Sequence, residues 1–318
     1  MKMLSFANLA YENKKKKTRR EKFLEEMNRV IPWEEVLPII KKYYPKAGNG
    51  RHPMPLEQMV RIYFMQQWYG LSDPAMEDAL YDSESLRRFA GIDLEADAIP
   101  DETTILNFRH LLERYGLTEE IFERTKRYLS EKGLFVREGT IVDATIITAP
   151  SSTKNSEQTR DKEMKQTKKG NQWYFGMKAH VGTDSRRGLV HSVVVTDAAV
   201  HDSRVMDKLL HGEEVAVYGD KAYASAEKKK AYEANGIEWC VKRKASRGHQ
   251  LSQQDVEYNH LHGHIRAKGE HAFLVVKHLW QYRKVRYKGL YKNAAQVFSL
   301  FALANLYLVR NELRLMTV

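Results

Sequence analysis

Up to about residue 136, apolar positions recur every three or four residues, the period of a helix with one buried face. Glu21 to Val30 and Trp33 to Tyr44 follow it, and so does Leu56 to Tyr69, where Met59, Ile62, Tyr63 and Gln66 form a stripe after Pro53 and Pro55. Asp73 followed by Pro74 marks a further helix start, and Asp101 opens a helix that stops at Gly116. Short helices with tight connections predict either a helix-turn-helix-like module touching DNA or a helical bundle used for dimerisation. After Gly133 the period changes to two. The segment 140–148 (TIVDATIIT) predicts an apolar strand, and 173–182 alternates, with Trp173, Phe175, Met177, Ala179 and Val181 on one face and Tyr174, Lys178 and His180 on the other. A hairpin turn leads to a third strand, LVHSVVVTD. A helix over 201–210, the strand VAVYGD, a helix over 224–234, the strand IEWCV and terminal helices complete the pattern. The reading is a mixed α/β sheet with flanking helices behind an all-helical region. The polar stretch 151–172 has no apolar periodicity and predicts a long functional or disordered loop.

Composition narrows the class. The chain has 318 residues, is 42% hydrophobic and has one cysteine, Cys240, which excludes a disulfide scaffold and fits a cytoplasmic protein. The longest apolar run, 294–309, is too short for a membrane span and contains Gln296, Ser299 and Asn305, so a buried helix is expected. No secretion signal is apparent near the basic N-terminus. Lysine and arginine exceed the acids by 52 − 41 = 11, so a polyanion is the expected partner.

Three acids stand out. Asp143 interrupts an apolar strand, where an unpartnered carboxylate is costly; Asp220 ends a strand just past a glycine, where ligands gather in alternating sheets. If 264–280 is one helix, Arg266, Glu270 and Lys277 fall within about 40° of each other, and Ile265, Ala272, Val276 and Leu279 face the opposite way toward the sheet. Taken singly, a salt bridge, a turn cap and a surface ion pair explain them as well. Brought together, they would repel unless a divalent cation neutralised them, and oxygen-only donors favour Mg²⁺ or Mn²⁺. Such a site suits in-line displacement at phosphorus. Asp202 is a reserve candidate at its margin. A zinc site from His260, His262, His264, His271 and Cys240 is a weaker reading. No GxxxxGK or GxSxG motif occurs, so ATP hydrolysis and esterase chemistry find no support.

The ordered set VDAT, WYFGMKAHVGTD, VTDAAVHDSR, YGDKAY, RAKGEHAFLVVKH and RYKGLYKNAAQVFSLFALANL resembles bacterial insertion-sequence transposases of the IS-5 family, in the DDE class. The stretch RHPMPLEQMVRIYFMQQWYGLSDPAMEDAL is similar to that family's N-terminal region, so the resemblance spans nearly the whole chain. It implies an RNase H-like catalytic core in which Asp143 and Asp220 lie on neighbouring parallel strands and, with Glu270, form the metal-binding triad. Arg266, Glu270 and Lys277 match a related signature whose tyrosine position here holds Gly263. The 50 residues from Asp220 to Glu270 leave no room for a β-rich insertion, so no hairpin intermediate is carried over.

The resulting division is a basic arm over 1–22, a helical DNA-binding or dimerisation domain over 23–136, and a catalytic domain over 137–318. Basic clusters mark the DNA track: Arg266 and Lys277 at the scissile strand, Lys242, Arg243, Lys244 and Arg247, then Arg283, Lys284 and Arg286 among Trp280, Tyr282 and Tyr287, rings able to stack on bases. Lys154, Lys162, Lys165, Lys168 and Lys169 add charge from the polar stretch. The expected activity is end binding, phosphodiester cleavage and transfer of 3′-hydroxyls into double-stranded target DNA, by a dimer or larger assembly. A catalytically silent DNA-binding regulator and an RNase H-like nuclease without joining are the alternatives.

Overall fold

In the computed structural model, residues 14–49, 52–154, 156, 158–245 and 250–316 are described. Helices α1 (Arg19–Val30), α2 (Trp33–Lys41), α3 (Leu56–Tyr69), α4 (Asp73–Asp82), α5 (Glu84–Ala90), α6 (Glu102–Arg114) and α7 (Leu117–Glu131) form the N-terminal part. Their starts follow the sequence signals: Thr18 and Glu21 make a capping box for α1, and Asp101 accepts from Thr104 N to cap α6. Helix α3 is buried almost all round rather than on one stripe. The cause lies far along the chain: α11 (Leu290–Leu308) packs against it, with Tyr63 Oη 2.9 Å from Ser299 Oγ and Gln296 Nε2 donating to Gln67 Oε1 at 3.1 Å. The run 294–309 is thus the buried helix expected, and its polar residues are hydrogen-bonded across the core.

The sheet comprises β1 (Gly139–Thr148), β2 (Lys165–Lys169), β3 (Gln172–Asp184), β4 (Val190–Asp197), β5 (Ala216–Gly219) and β6 (Glu238–Val241). Its order is β4-β3-β1-β5-β6, with β2 also paired to β3. Strands β1, β3 and β4 are antiparallel, whereas β5 and β6 run parallel to β1. This is the mixed sheet with flanking helices expected from the sequence, behind a helical N-terminal region.

Three elements differ from the sequence reading. The polar stretch 151–172 is not all loop: its Lys165–Lys169 segment is β2, held by β3 although its side chains are mostly exposed. Residues 201–210 form two 3₁₀ turns, Asp202–Arg204 and Met206–Leu209, not one helix. Buried Met206 and Leu209 are three apart, the 3₁₀ period, and Asp202 is tied sideways to Lys178. Finally, the helix expected over 264–280 begins earlier. Helix α9 (Gln253–Lys268) starts at a Ser252–Asp255 capping box and leads through Gly269 into α10 (Glu270–Leu274) and a π turn, Val275–Leu279. The wider turn shifts the buried face by one position, so Leu279 is 50% exposed and Trp280 is buried instead. A short α12 (Arg310–Met316) closes the chain, and α8 (Ala226–Ala234) links β5 to β6. No helix among the described residues is long and apolar enough to cross a membrane.

Candidate active site

The parallel pairing of β1 with β5 ends at Val142↔Gly219, so the next residues on the two strands are Asp143 and Asp220. Neighbouring strands lie about 4.8 Å apart, which sets the two acids side by side. Asp220 also caps the 3₁₀ turn Lys221–Tyr223, accepting from Ala222 N at 2.9 Å. Gly219 lets that turn fold tightly beneath it: a Cβ there would stand 3.2 Å from Val142 Cγ2 and 3.4 Å from Tyr223.

Glu270 arrives on α10. The residue before it, Gly269, touches the sheet so closely that a Cβ would lie 3.0 Å from Ile141 Cγ2 and 3.2 Å from Thr183 Oγ1. The Glu270 side chain is exposed and 3.9 Å from Arg266 Nη2. Burial pushes the Asp143 carboxyl up to about 6; Asp220 and Glu270 push it the same way, while Arg266 and the Ala144 amide, which donates at 2.8 Å, pull it down. The carboxylate just past β5 and the one on α10 therefore both act on the carboxylate of β1. They do not form a tight knot: among the described residues, the one group of three or more metal-ligating side chains with donors all within 4.8 Å is Glu238, Cys240 and His262. Of the four histidines in the zinc reading, only His262 reaches Cys240.

Lys277 donates to Thr145 Oγ1 at 2.9 Å and Ile146 O at 3.1 Å, fixing its ammonium along β1. Burial, with Lys169 and Arg283 nearby, holds its pKa below the usual lysine value. The cleft beside Asp143 and Asp220 encloses about 710 Å³, and Lys168, Lys169, Lys242, Arg243 and Lys244 are among its lining residues. Arg243 is braced by Asp255 at 2.7 Å and lies over Tyr258; Arg247 lies outside the described residues. Arg283 and Lys284 are exposed, but Arg286 is half-buried, and its guanidinium covers Gly70 at the end of α3. Trp280 and Tyr282, expected as stacking rings, are 4% and 2% exposed and belong to the core. Their apolar area outweighs the charges that flank them in sequence.

The cleft also holds residues that sequence reasoning did not assign. Lys178 donates to Asp202 Oδ1 at 2.9 Å and Val200 O at 2.8 Å, which brings the reserve candidate Asp202 into the lining. His180 Nδ1 lies 3.8 Å from the same carboxylate oxygen, and burial pushes the imidazole down to about 4. The Tyr223 hydroxyl is buried without a hydrogen-bond partner, within the field of Asp143, Asp202 and Asp220. The available signals were the polar positions Lys178 and His180 on an otherwise apolar strand and the tyrosine three residues after Asp220.

Two solved structures are similar to this chain. One is a cryo-EM structure of the piggyBac transposase synaptic complex with hairpin DNA, at 9% identity and a TM-score of 0.45, covering 94% of this chain and 75% of that one. The other is a crystal structure of the Mos1 strand transfer complex, at 11% identity and a TM-score of 0.21, covering 76% and 83%. Residues 12–111 match a transposase domain (DUF772). Residues 134–306, more than half of the chain and the part bearing all three acids, match the family described as Transposase DDE domain, and the chain belongs to that family.

Proposed function

We propose that this chain is an insertion-sequence transposase of the IS-5 group that binds the ends of its element, cleaves phosphodiester bonds and transfers 3′-hydroxyl ends into target DNA. Asp143, Asp220 and Glu270 are the metal-binding carboxylates of this reading, and the observation that carries it is the end of the β1–β5 pairing, which sets Asp143 and Asp220 side by side at a lysine-lined cleft. DDE transposases use divalent metal ions, and the residues suit one. All three donors are oxygens, and Asp143 is pressed by two like charges that Arg266 offsets only in part, since the Asp143 carboxyl stays raised. Mg²⁺ is the expected ion and Mn²⁺ its substitute. Two such ions would supply activation of the attacking water or 3′-hydroxyl and stabilisation of the leaving oxygen.

The chain's own groups do the rest. Arg266 faces the acids and holds a non-bridging phosphate oxygen, while Lys277, immobilised on β1, orients the same strand. Lys168, Lys169, Lys242, Arg243 and Lys244 draw the backbone into the cleft, with Arg283 and Lys284 continuing the track. Residues 23–136 and 137–318 are the recognition and catalytic units of this reading; the basic arm 1–22 gives sequence-independent attraction, although its last four residues, Arg19–Lys22, already form the first turn of α1 and its first thirteen lie outside the described ones. Two ends must be held at once, so the working form is a dimer or larger assembly, in the cytoplasm where its DNA lies.

The test is incubation of the protein with candidate element ends and Mn²⁺. Cleavage followed by joining supports the reading, and undiminished cutting by Asp143→Asn overturns the site. End binding with no cleavage in either metal would identify a silent regulator, and cutting of branched DNA without joining would identify a nuclease.

A further inference from the structure

Strand β3 outruns its partner. Its pairing with β1 ends at Thr148↔Gly176, where a Cβ on residue 176 would collide with Ile147 O, and β3 then extends to Gln172 and turns back into β2. This projecting hairpin carries Lys165, Lys168, Lys169 and Trp173. The Trp173 indole is 64% exposed, whereas Trp68, Trp239 and Trp280 are buried. Lys168 is its direct cross-strand partner, with Nζ 5.9 Å from the ring centroid. Lys168 and Lys169 also line the Asp143 cleft. A flat apolar face set among cations at a cleft rim matches a ligand carrying both a π face and negative charge, which is a nucleotide.

We propose that Trp173 is a stacking site for a nucleobase of the DNA that enters the cleft. The inference rests on the transposase reading and adds a position to it. Asp143 pairs with Val181, and eight residues, an even number, separate Val181 from Trp173, so the indole and the carboxylate share one face of the sheet. At about 3.3 Å per residue they are about 26 Å apart along the strand direction. One strand advances about 3.4 Å per nucleotide, so the stacked base lies within about eight nucleotides of the scissile phosphate. A paired base hides its face inside the duplex, so Trp173 favours an end that is frayed or kinked there. Lys168 and Lys169 neutralise the phosphates on either side.

The experiment uses the full chain carrying Asp143→Asn, which keeps the DNA uncut, with element-end duplexes bearing 2-aminopurine at successive positions. One position within about eight nucleotides of the cleavage point should be quenched on binding. Trp173→Ala should abolish that quench and weaken binding to an end unpaired at that position by about tenfold or more. Fully paired duplex should bind nearly as before, and Trp173→Phe should retain most of the affinity. DNA binding without quenching at any position overturns the stacking site while leaving the transposase reading intact; no DNA binding at all overturns both. A Trp173→Ala protein that binds every DNA normally but changes oligomeric mass would show the indole to be a protein contact and also overturn the proposal.

Discussion

With its carboxyl raised to about 6 in the fold, Asp143 binds a proton between pH about 4 and 6 that the unfolded chain has already released. Unfolding in that window releases protons, so rising pH favours the unfolded state, and the penalty is complete above about pH 6. It amounts to on the order of 3 kcal/mol. Metal-free protein should therefore lose thermal stability from pH 4 to pH 6 through this group, and thermal melts across that range measure it. Asp143→Asn removes the ionisation while keeping the shape, so at pH 7 without metal it should be more stable by up to about that amount and inactive in cleavage. Addition of Mg²⁺ should raise the melting temperature of the parent and not of the variant. An Asn variant that melts lower than the parent at pH 7 would refute the electrostatic account. Asp143 was legible in the sequence because a charged residue interrupts an apolar run. Lys178 and Tyr223 showed only as a polar position on an apolar strand and a tyrosine near Asp220; their link to the cleft was not legible, since Asp202 and Asp143 lie about 20 to 80 positions away from them and no local period records that.

The helices and strands that bear the site show why periodicity fixes some positions and misses others. Strand β3 alternates as expected, and the parity that buries Met177, Ala179 and Val181 sets Asp143 opposite Val181. Periodicity puts the third carboxylate on a straight helix, but the segment contains a π turn after it. Arg266 and Glu270 precede that turn and keep their i,i+4 relation; Leu279 follows it and loses its face. A π turn follows from packing against the sheet and α11, which a 3.6-residue template does not see. The close approach at Gly269 is a second tertiary feature, since its φ of −62° is ordinary for any residue. Gly269→Ala should therefore strain contact rather than backbone. It should push α10 away from Ile141 and carry Glu270 outward, lowering the cleavage rate by about a hundredfold if the displacement approaches 1 Å. Because alanine is the better helix former by about 1 kcal/mol, the fold should remain intact by circular dichroism. Full activity in Gly269→Ala would show that the helix position is not critical.

Across the whole molecule, α11 joins parts that sequence reading divides at residue 136. Its Phe301, Leu303 and Leu306 lie in the same core as Met59 and Ile62 of α3 and Val181 of β3. That sharing was illegible because the composition changes at residue 136 while the core does not. It also sorts the basic residues into two kinds. Lys242 and Lys244 are exposed on the cleft rim, whereas Arg286 covers Gly70 where the C-terminal chain meets α3. Removing one cation that neutralises a phosphate lowers the slope of log affinity against log salt by about 0.9 for duplex DNA. The double variant Lys242→Ala with Lys244→Ala should thus reduce the magnitude of that slope by about 2, with little change in melting temperature. Arg286→Ala should leave the slope unchanged and lower the melting temperature, because it strips a packed guanidinium from a junction. Binding isotherms at several salt concentrations, paired with thermal melts, separate the two kinds. If Arg286→Ala lowers the slope as much as removal of a rim lysine does, the charge is reaching DNA, and the division of the basic residues by burial fails.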